Sequence, residues 1–578
     1  MVSILGINAF HGDSSAALVI DGQLVAAVEE ERFNRIKHWA GFPAESIRWV
    51  LQAGGVTAEQ LDHVAVSFDP KANVGRKAVF ALINRPSLSA IVDRLKRQGK
   101  SFSIRHQLAE TCGFAPEQVV AKIHSVEHHD AHLACGYLIS PFESASILSI
   151  DGMGDFVSTV TATAAGRAIT KLDEVFYPHS LGFLYNAVTI YLGFPNYGDE
   201  YKVMGLAPYG EPEYVEEFRR IIFPKGRTFE LNLEYFTHVQ NGIRMSWDGG
   251  YPKVDAFHSK LLEDRLGPAR GPKDDLTHKH ENIAASLQRV SEEIIFHLLN
   301  ELHKIAPNDN AVLVGGCAMN SVANGKVTRE TPFKHVYVPV GAADNGTSFG
   351  AAFHVWSQFL DQPRNFVLDH AFWGSGVDPV ACRAAAERES LTLRELSRDE
   401  LVNYCVDAIC DGKVVGWFQD RMEFGARALG NRSLVADPRR ADMREIINLK
   451  IKFREKFRPF APSVLEEHVA EFFTVDEPSP FMERVLPIRP DKQALIPAVT
   501  HVDGSGRLQT VSRRTNPLYW ELIERFRQRT GVPMVLNTSL NENEPIVRTP
   551  EEAVSCFQRT AMDMLVLGHL IIERADRK

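Results

Sequence analysis

Two histidines four residues apart, His128 and His132, lie in the segment EHHDAHLACGYL. At helical spacing both imidazoles fall on one face, about one turn apart, where they can share a metal ion. A bare HxxxH more often marks a pair of core or surface histidines, so nearby acids carry weight. Asp151 ends the apolar run SILSID, and Asp344 lies in VPVGAADNGTSFGAA at a second strand-to-helix junction. Alternating folds gather their polar groups at such strand ends. Two neutral imidazoles with two carboxylates suit Fe(II), Zn(II) or Mn(II), and ligand type does not choose among them.

Glycines recur at the same kind of junction: Gly152 and Gly154 in GMGD, and Gly315 and Gly316 in VLVGGCAMNS. Such loops let backbone amides approach a phosphate or nucleoside closely, although glycines of this kind are often plain turn residues. Their pairing on one presumed cleft favours a nucleotide site. Farther on, QDRMEFGARALGNRS, IKFREKFRPFAPS and VLNTSLNENEPIV combine cations with small hydrogen-bonding residues. Arg427, Arg432 and Arg458 with Lys452 suit a small multiply charged anion, because the guanidinium fork grips phosphate oxygens in pairs. The alternative is a solvated helix face. Against it, the cations are interleaved with Phe424, Ala426, Leu429, Phe457 and Phe460.

These groups need elements to hold them. Val2 to Asn8 is an apolar run, HGDSS a polar break, and AALVI, a DG turn and QLVAAVEE read as two more strands. The order returns as SASILSID, GMGD, FVSTVTATA, an AGR turn and AITKLDEVF. A repeated strand, Gly/Asp loop and hairpin is the layout of duplicated ATPase domains of the actin, sugar-kinase and Hsp70 type. The stretch from about Pro43 to Gln118 reads as helical and polar, and an amphipathic helix is expected from about Asp275 to Ile305, leading into the strand AVLVGG. The stretch DQPRNFVLDHAFWGSG, near 361–376, marks a boundary. The expected fold class is thus α/β, with a duplicated actin/Hsp70-like domain over 1–362 and a second α/β domain over 363–578. In the latter, KVVGWFQ is one strand and MLVLGHLIIE another.

The bulk properties agree. A chain of 578 residues exceeds one ordinary hydrophobic core, and 44% hydrophobic with 24% charged residues describes an average globular protein. A net charge of −9 excludes a reader of nucleic acid that works through its whole-surface field. The seven cysteines are scattered and never spaced CxxC, which suits free thiols in a reducing compartment. No basic stretch precedes an apolar one at the N-terminus and no window approaches a membrane span, so the cytoplasm is the expected location.

Together the blocks GINAFHGDSSAALVIDG, VEEERFNRIKH, VEHHDAH, SIDGMGD, DEYKVMGLAPYG, VGGCAMNS, DNGTSFGAA, FGARALGNRS, FRPFAPSV and LNTSLNENEPIV resemble the NodU/CmcH carbamoyltransferase family, in family order and across nearly the whole chain. That family includes nodulation-factor, cephamycin and tobramycin carbamoyltransferases. Its N-terminal part is similar to the metal-binding ligase that finishes threonylcarbamoyladenosine on tRNA, and its C-terminal part to the YrdC domain. The resemblance implies that carbamoyl phosphate and ATP form carbamoyl adenylate and pyrophosphate in the C-terminal domain, and that an acceptor hydroxyl attacks the adenylate in the N-terminal domain, releasing AMP. It places the carbamoyl phosphate or adenylate on Lys452, Arg427, Arg458, Asn537 and Ser539, with Arg432 as a further member and Mg alongside ATP. It places the metal on His128, His132, Asp151 and Asp344, and the nucleotide at Gly152, Gly154, Gly315, Gly316, Asn320, Glu200 and Lys202.

Transfer to a hydroxyl needs a proton acceptor, for which His11 in AFHGDSS is the candidate, with Asp13 as its orienter or as an acceptor-binding group. Some family members carry HDAS where this chain has HGDSS, which offsets the aspartate by one residue. A threonylcarbamoyl-type tRNA enzyme and a sugar kinase of the same fold are the competing readings. The first calls for a broad basic face, and the second needs neither an adenylate-forming domain nor the histidine pair. The expected partners are ATP, carbamoyl phosphate and a hydroxyl-bearing small molecule, with no nucleic acid and no membrane. A homodimer is the simplest assembly.

Overall fold

A computed structural model describes residues 1–84, 104–246 and 252–574. The chain divides into two compact units, Met1–Leu368 and Asp369–Lys578. Among the described residues no helix is long and apolar enough to cross a membrane.

Unit 1 is built on two five-stranded sheets. In the first, β1 (Ser3–Asn8), β2 (Ser15–Ile20) and β3 (Gln23–Glu29) form an antiparallel meander, and β4 (His63–Val66) and β5 (Lys122–Ser125) add in parallel beside β1. In the second, β6 (Ser144–Gly154), β7 (Val157–Ala165) and β8 (Ala168–Phe176) repeat the meander. After two small hairpins, β9 (Ile222–Lys225) with β10 (Thr228–Leu231) and β11 (Met245–Ser246) with β12 (Lys253–Val254), the strands β13 (Asn310–Val314) and β14 (His335–Tyr337) add in parallel beside β6. The two sheets therefore share one strand order, β3-β2-β1-β4-β5 and β8-β7-β6-β13-β14. Every side chain of β1 is buried, as expected for a strand covered on both faces.

Two helices meet between the sheets. Helix His128–Tyr137 leaves β5 of the first sheet yet packs on β6 and β13 of the second. Helix Thr347–His354 follows β14 yet packs on β1 and β2. The two helices also pack on each other, so the start of each faces the same cleft. The long amphipathic helix spans His278–Ile305.

Two readings of the sequence need correction. The segment taken as helical from Pro43 to Gln118 does contain helices Ala44–Gly54, Val74–Asn84 and Ile104–Cys112, but HVAV at its centre is β4, a short strand recognisable only once β1 is beside it. Its 85–103 part lies outside the described residues. In unit 2, MLVLGHLIIE is two strands folded as a hairpin about Gly568, whose φ of 59° permits the turn.

Unit 2 is a nine-stranded mixed sheet in the order β15-β23-β22-β16-β17-β21-β18-β20-β19. Its strands are β15 (Leu393–Glu395), β16 (Val415–Phe418), β17 (Arg432–Ala436), β18 (Ala461–Leu465), β19 (Arg484–Pro487), β20 (Ser505–Val511), β21 (Met534–Ser539), β22 (Met564–Leu567) and β23 (Leu570–Glu573). Trp417 and Phe418 of β16 pack into one continuous core with Tyr519 and Phe526 of helix Pro517–Thr530.

The last stretch of unit 1 is tied down by Arg364. Its guanidinium donates to the carbonyls of Leu138 at 3.1 Å, Phe142 at 2.8 Å and Ser140 at 2.8 Å, and lies over the Tyr137 ring. Arg364→Ala leaves three helix-end carbonyls without this donor. It is expected to lower the stability of unit 1 by about 2 kcal/mol in denaturant unfolding, and unfolding at the wild-type midpoint would show that the clamp does not matter.

Candidate functional site

Glu127 caps the helix that carries the histidines: its carboxylate accepts from the amides of His129 at 3.1 Å and Asp130 at 3.0 Å, and pairs with Lys171 at 2.7 Å. The His128 amide donates to Asp155 at 3.0 Å, which fixes the first turn. His128 Nε2 then lies 3.1 Å from His132 Nε2, 3.2 Å from Asp151 Oδ2 and 3.6 Å from Asp344 Oδ1. His132 Nε2 is 3.5 Å from Asp344 Oδ1 and 3.9 Å from Asp151 Oδ2. All four ligating atoms fall within 4.8 Å of one another. Such separations are the edges of a coordination shell whose bonds are roughly 2.0–2.2 Å long. A metal ion therefore fits these residues, with one imidazole or carboxylate atom from each.

The supporting groups are also in place. Asp151 turns its other oxygen to the amide of Gly316 at 2.9 Å, which orients the carboxylate. Gly154 is required: a β-carbon there would overlap the His128 ring. Gly315, with φ 90°, ends β13 against Ile150, and Gly152 offers its carbonyl to Ser180 Oγ at 2.7 Å.

Proton sharing compensates the charge of this cluster. Burial opposes a charged His128, but the hydrogen bond to Asp151 and the negative charges of Asp344 and Asp151 win, and its pKa is pushed up to about 10. Burial, then the charge on His128, lowers His132 to about 3. Burial works against an ionised Asp151, yet the hydrogen bond from His128 holds its carboxyl well below the usual range, while burial and the charge of Asp151 push Asp344 up. One imidazolium thus balances the acids, and a metal ion taking its place would release that proton.

His11 stands beside the cluster, its ring edge-on to His128 at 5.1 Å between centroids. Burial, then the charge of His128, lowers its pKa to about 4, so the imidazole is neutral at pH 7 and able to accept a proton. Asp13 is not its orienter. The Asp13 carboxylate instead meets His38 Nδ1 at 2.7 Å, with Asp13 at φ 57° in a loop that is hydrogen-bonded to the 38–41 segment. Burial alone would lower His38, but the charge of Asp13, its hydrogen bond and the charge of Glu31 raise it to about 9. The gathering of Asp13, Glu31 and His38 resembles a ligand set, yet its imidazole is held by Asp13 and Glu31 is bound by Arg32 at 2.5 Å. Protein groups already satisfy it.

The remaining nucleotide candidates of unit 1 are held by neighbours. Glu200 accepts from Asn186 at 2.6 Å, and Lys202 pairs with Asp199 at 3.1 Å. Asn320 exchanges amide hydrogen bonds with Gln288 at 3.0 and 3.1 Å, and Gln288 is in turn joined to Glu292, the partner of Lys326. Their carboxamides brace the cleft wall.

Unit 2 sorts its cations into two kinds. Arg432, expected among the anion ligands, is buried on β17. It donates to the carbonyls of Gln419, Asn431, Ser375 and Asp420 and stacks on Phe418 at 3.8 Å. Its work is to hold backbone together. Lys452 is likewise buried, its ammonium clasping the Ser539–Asn541 turn through Ser539 O at 2.6 Å, Asn541 O at 2.8 Å and Asn541 Oδ1 at 2.6 Å. Ser539 Oγ closes the same turn onto Asn541 at 2.7 Å. Asn537 is buried with its amide donating to Ala428 O, Ser463 and Gln509.

Arg427, Arg454 and Arg458, by contrast, converge on Arg507. Burial and then the positive charges of those three arginines drive the Arg507 pKa well below its ordinary value. Guanidinium groups from three stretches of the chain are thus near enough to repel one another, a concentration of positive charge whose chemistry suits a multiply charged anion. Arg507 and Arg454 escaped the sequence reading. Arg507 is one cation inside the strand SGRLQTV, with no local pattern to single it out, and Arg454 is separated from it by more than fifty residues of chain. His38 and Tyr197 of unit 1 were missed for the same reason.

The carbamoyltransferase N-terminus family model matches residues 3–353 and the carbamoyltransferase C-terminus model residues 406–574. The chain belongs to this family and is a carbamoyltransferase. It is 38% identical to the protein sll1178 of Synechocystis over 99% of this chain and 97% of that one. It is 38% identical to nodulation protein NolNO of Sinorhizobium fredii, over 98% of this chain and 80% of that one. A 3'-hydroxymethylcephem-O-carbamoyltransferase of Amycolatopsis lactamdurans is 35% identical over 45% of this chain and 48% of its own.

Two measurements follow from the geometry. The double variant His128→Ala, His132→Ala is expected to lose nearly all bound transition metal by elemental analysis of the purified protein, and full occupancy would remove both residues from the metal set. For His38, a folded pKa above the ordinary value means that its pairing stabilises most below about pH 6.5. That contribution is lost as pH rises through about 9. The gap in melting temperature between wild type and His38→Gln should therefore be widest at pH 6 and close above pH 9, and a constant gap would contradict the ion pair.

Proposed function

We propose that the protein is an ATP-dependent O-carbamoyltransferase working in two steps, the first in unit 2, read as YrdC-like, and the second in unit 1, read as a duplicated actin/Hsp70-type domain. The observation that carries the reading is the convergence of the positive charges of Arg427, Arg458 and Arg454 on half-buried Arg507. Joining two anionic phosphate compounds demands dense positive charge at short range. Carbamoyl phosphate gives up its phosphate to water, leaving carbamate. A carbamate oxygen then attacks the α-phosphorus of ATP, and pyrophosphate departs with the electron pair of the broken bond. Lys452 and Ser539 fix the Ser539–Asn541 turn and Asn537 joins its strand to Ala428 and Ser463, which supports them as groups that shape the adenylate-forming site. A magnesium ion accompanies ATP.

In the second step the acceptor hydroxyl oxygen bonds to the carbamoyl carbon of the adenylate. The bond from that carbon to the phosphate oxygen breaks, and AMP leaves with its electrons. Neutral His11 takes the hydroxyl proton. The glycine loops at Gly152, Gly154, Gly315 and Gly316 and the braced residues Glu200, Lys202 and Asn320 shape the nucleotide end of the cleft. His128, His132, Asp151 and Asp344 hold Fe(II), Zn(II) or Mn(II), which when bound supplies a Lewis acid for the departing phosphate. The nodulation proteins and the cephem O-carbamoyltransferase among the relatives support a natural-product or sugar hydroxyl as the acceptor.

Pyrophosphate release and product formation separate the two steps. Arg458→Ala and Arg507→Ala should lower pyrophosphate release at least about 100-fold. His11→Ala should keep that release and lose the carbamoylated product seen by mass spectrometry in an acceptor screen. If all three variants release pyrophosphate at the wild-type rate, the division of labour is wrong.

A further inference from the structure

Tyr197 is a polar group in the cleft of unit 1 that the mechanism above leaves unused. Its backbone amide donates to Pro252 at 2.9 Å, which anchors the loop. Its hydroxyl is the group that reaches the His11 loop. That hydroxyl lies against Gly12, the neighbour of His11: a β-carbon on Gly12 would overlap the phenolic oxygen. Burial first, and then the negative charges of Asp344, Asp13, Asp151 and Glu200, push the phenol far up, so it remains an O–H donor throughout the working range.

The position is held from the other side by His38. The His38 ring is edge-on to Tyr197 at 5.5 Å, and a β-carbon on Gly198 would overlap His38 Nε2. His38 also binds Asp13, while the Phe10–Ser14 loop is stitched to the same segment by Phe10 N to Gly41 O at 3.1 Å and Ser14 N to Trp39 O at 2.8 Å. The imidazole therefore registers the His11 loop against the Tyr197 loop.

We propose that Tyr197 is a further catalytic residue of the transfer step, donating its hydroxyl hydrogen to the carbonyl oxygen of the carbamoyl group, with His38 as the residue that positions it. The inference rests on the two-step reading above. The cleft is lined with carboxylates, which accept hydrogen bonds and can hold an acceptor hydroxyl. They offer nothing to an oxygen that gains negative charge. As the nucleophile's oxygen or nitrogen bonds to the carbamoyl carbon, the carbonyl π pair moves onto oxygen and the Tyr197 O–H bonds to it. The pair then returns, the bond from carbon to the phosphate oxygen breaks, and AMP leaves with those electrons. The tyrosine keeps its proton, and the proton of the nucleophile goes to His11.

The test uses the full chain with ATP, carbamoyl phosphate and hydroxylamine, a small nucleophile that needs no acceptor pocket, and reads the ATP-dependent formation of N-hydroxyurea. Tyr197→Phe is expected to lower that rate on the order of 100-fold at saturating hydroxylamine. Pyrophosphate release and melting temperature should stay at wild-type values, and His38→Gln should show a smaller loss of the same kind. Three results overturn the inference alone: a Tyr197→Phe rate within a few-fold of wild type, a change confined to the hydroxylamine concentration needed for half saturation, or a parallel fall in pyrophosphate release and melting temperature. A wild-type protein that makes no ATP-dependent N-hydroxyurea overturns the two-step reading and this inference with it.

Discussion

Two imidazoles and two carboxylates whose ligating atoms lie within 4.8 Å cannot all keep the charges they carry in water. The arrangement of unit 1 follows from that constraint. Asp151 and Asp344 outweigh the burial of His128 and favour a proton there, while burial first, and then that charge, favours a neutral His132. Bringing the four atoms together takes helix starts from both halves of the unit. The histidines come from a helix that leaves the first sheet and packs on the second, and Asp344 comes from the junction before a helix that packs the opposite way. The repeated strand order is what makes this exchange possible, since each sheet presents an equivalent surface to the helix of the other.

Around that centre, the protein positions neutral and paired groups in place of further isolated charges. His11 is neutral through burial, and Asp13 is paired with His38. The long helix contributes Gln288 and Glu292, whose bonds to Asn320 and Lys326 consume the polar groups of the wall. A buried polar group left half satisfied would cost more than it returns.

Unit 2 faces the opposite imbalance. Arg507 lies half-buried among like charges, an arrangement that desolvation and repulsion both oppose and that an anion would relieve. Arg432 is fully buried but is answered by carbonyl oxygens and by the Phe418 ring. The same residue type stands among like charges in one place and serves as backbone cement in the other. Lys452 belongs with Arg432 in this respect, since its ammonium closes the Ser539–Asn541 turn.

The sequence by itself was sufficient for features whose signal is local. The HxxxH spacing, the apolar runs ending at Asp151 and before Gly315, the twice-repeated strand, loop and hairpin, and the helix ending at Ile305 are all periodicities or spacings within one segment. The ordered motif blocks likewise identified the family. Short β4 escaped because four residues carry too little period to compete with the helices around them. Only the tertiary structure decided which groups answer which charges: that Asp13 turns to His38, that Tyr197 reaches Gly12, that Arg507 joins three other arginines, and that Arg432 and Lys452 face inward. Most of these are pairings between segments well apart in the chain. Electrostatics and hydrogen bonding act through space over a few ångströms, so their outcome is set by packing and leaves no pattern along a single segment.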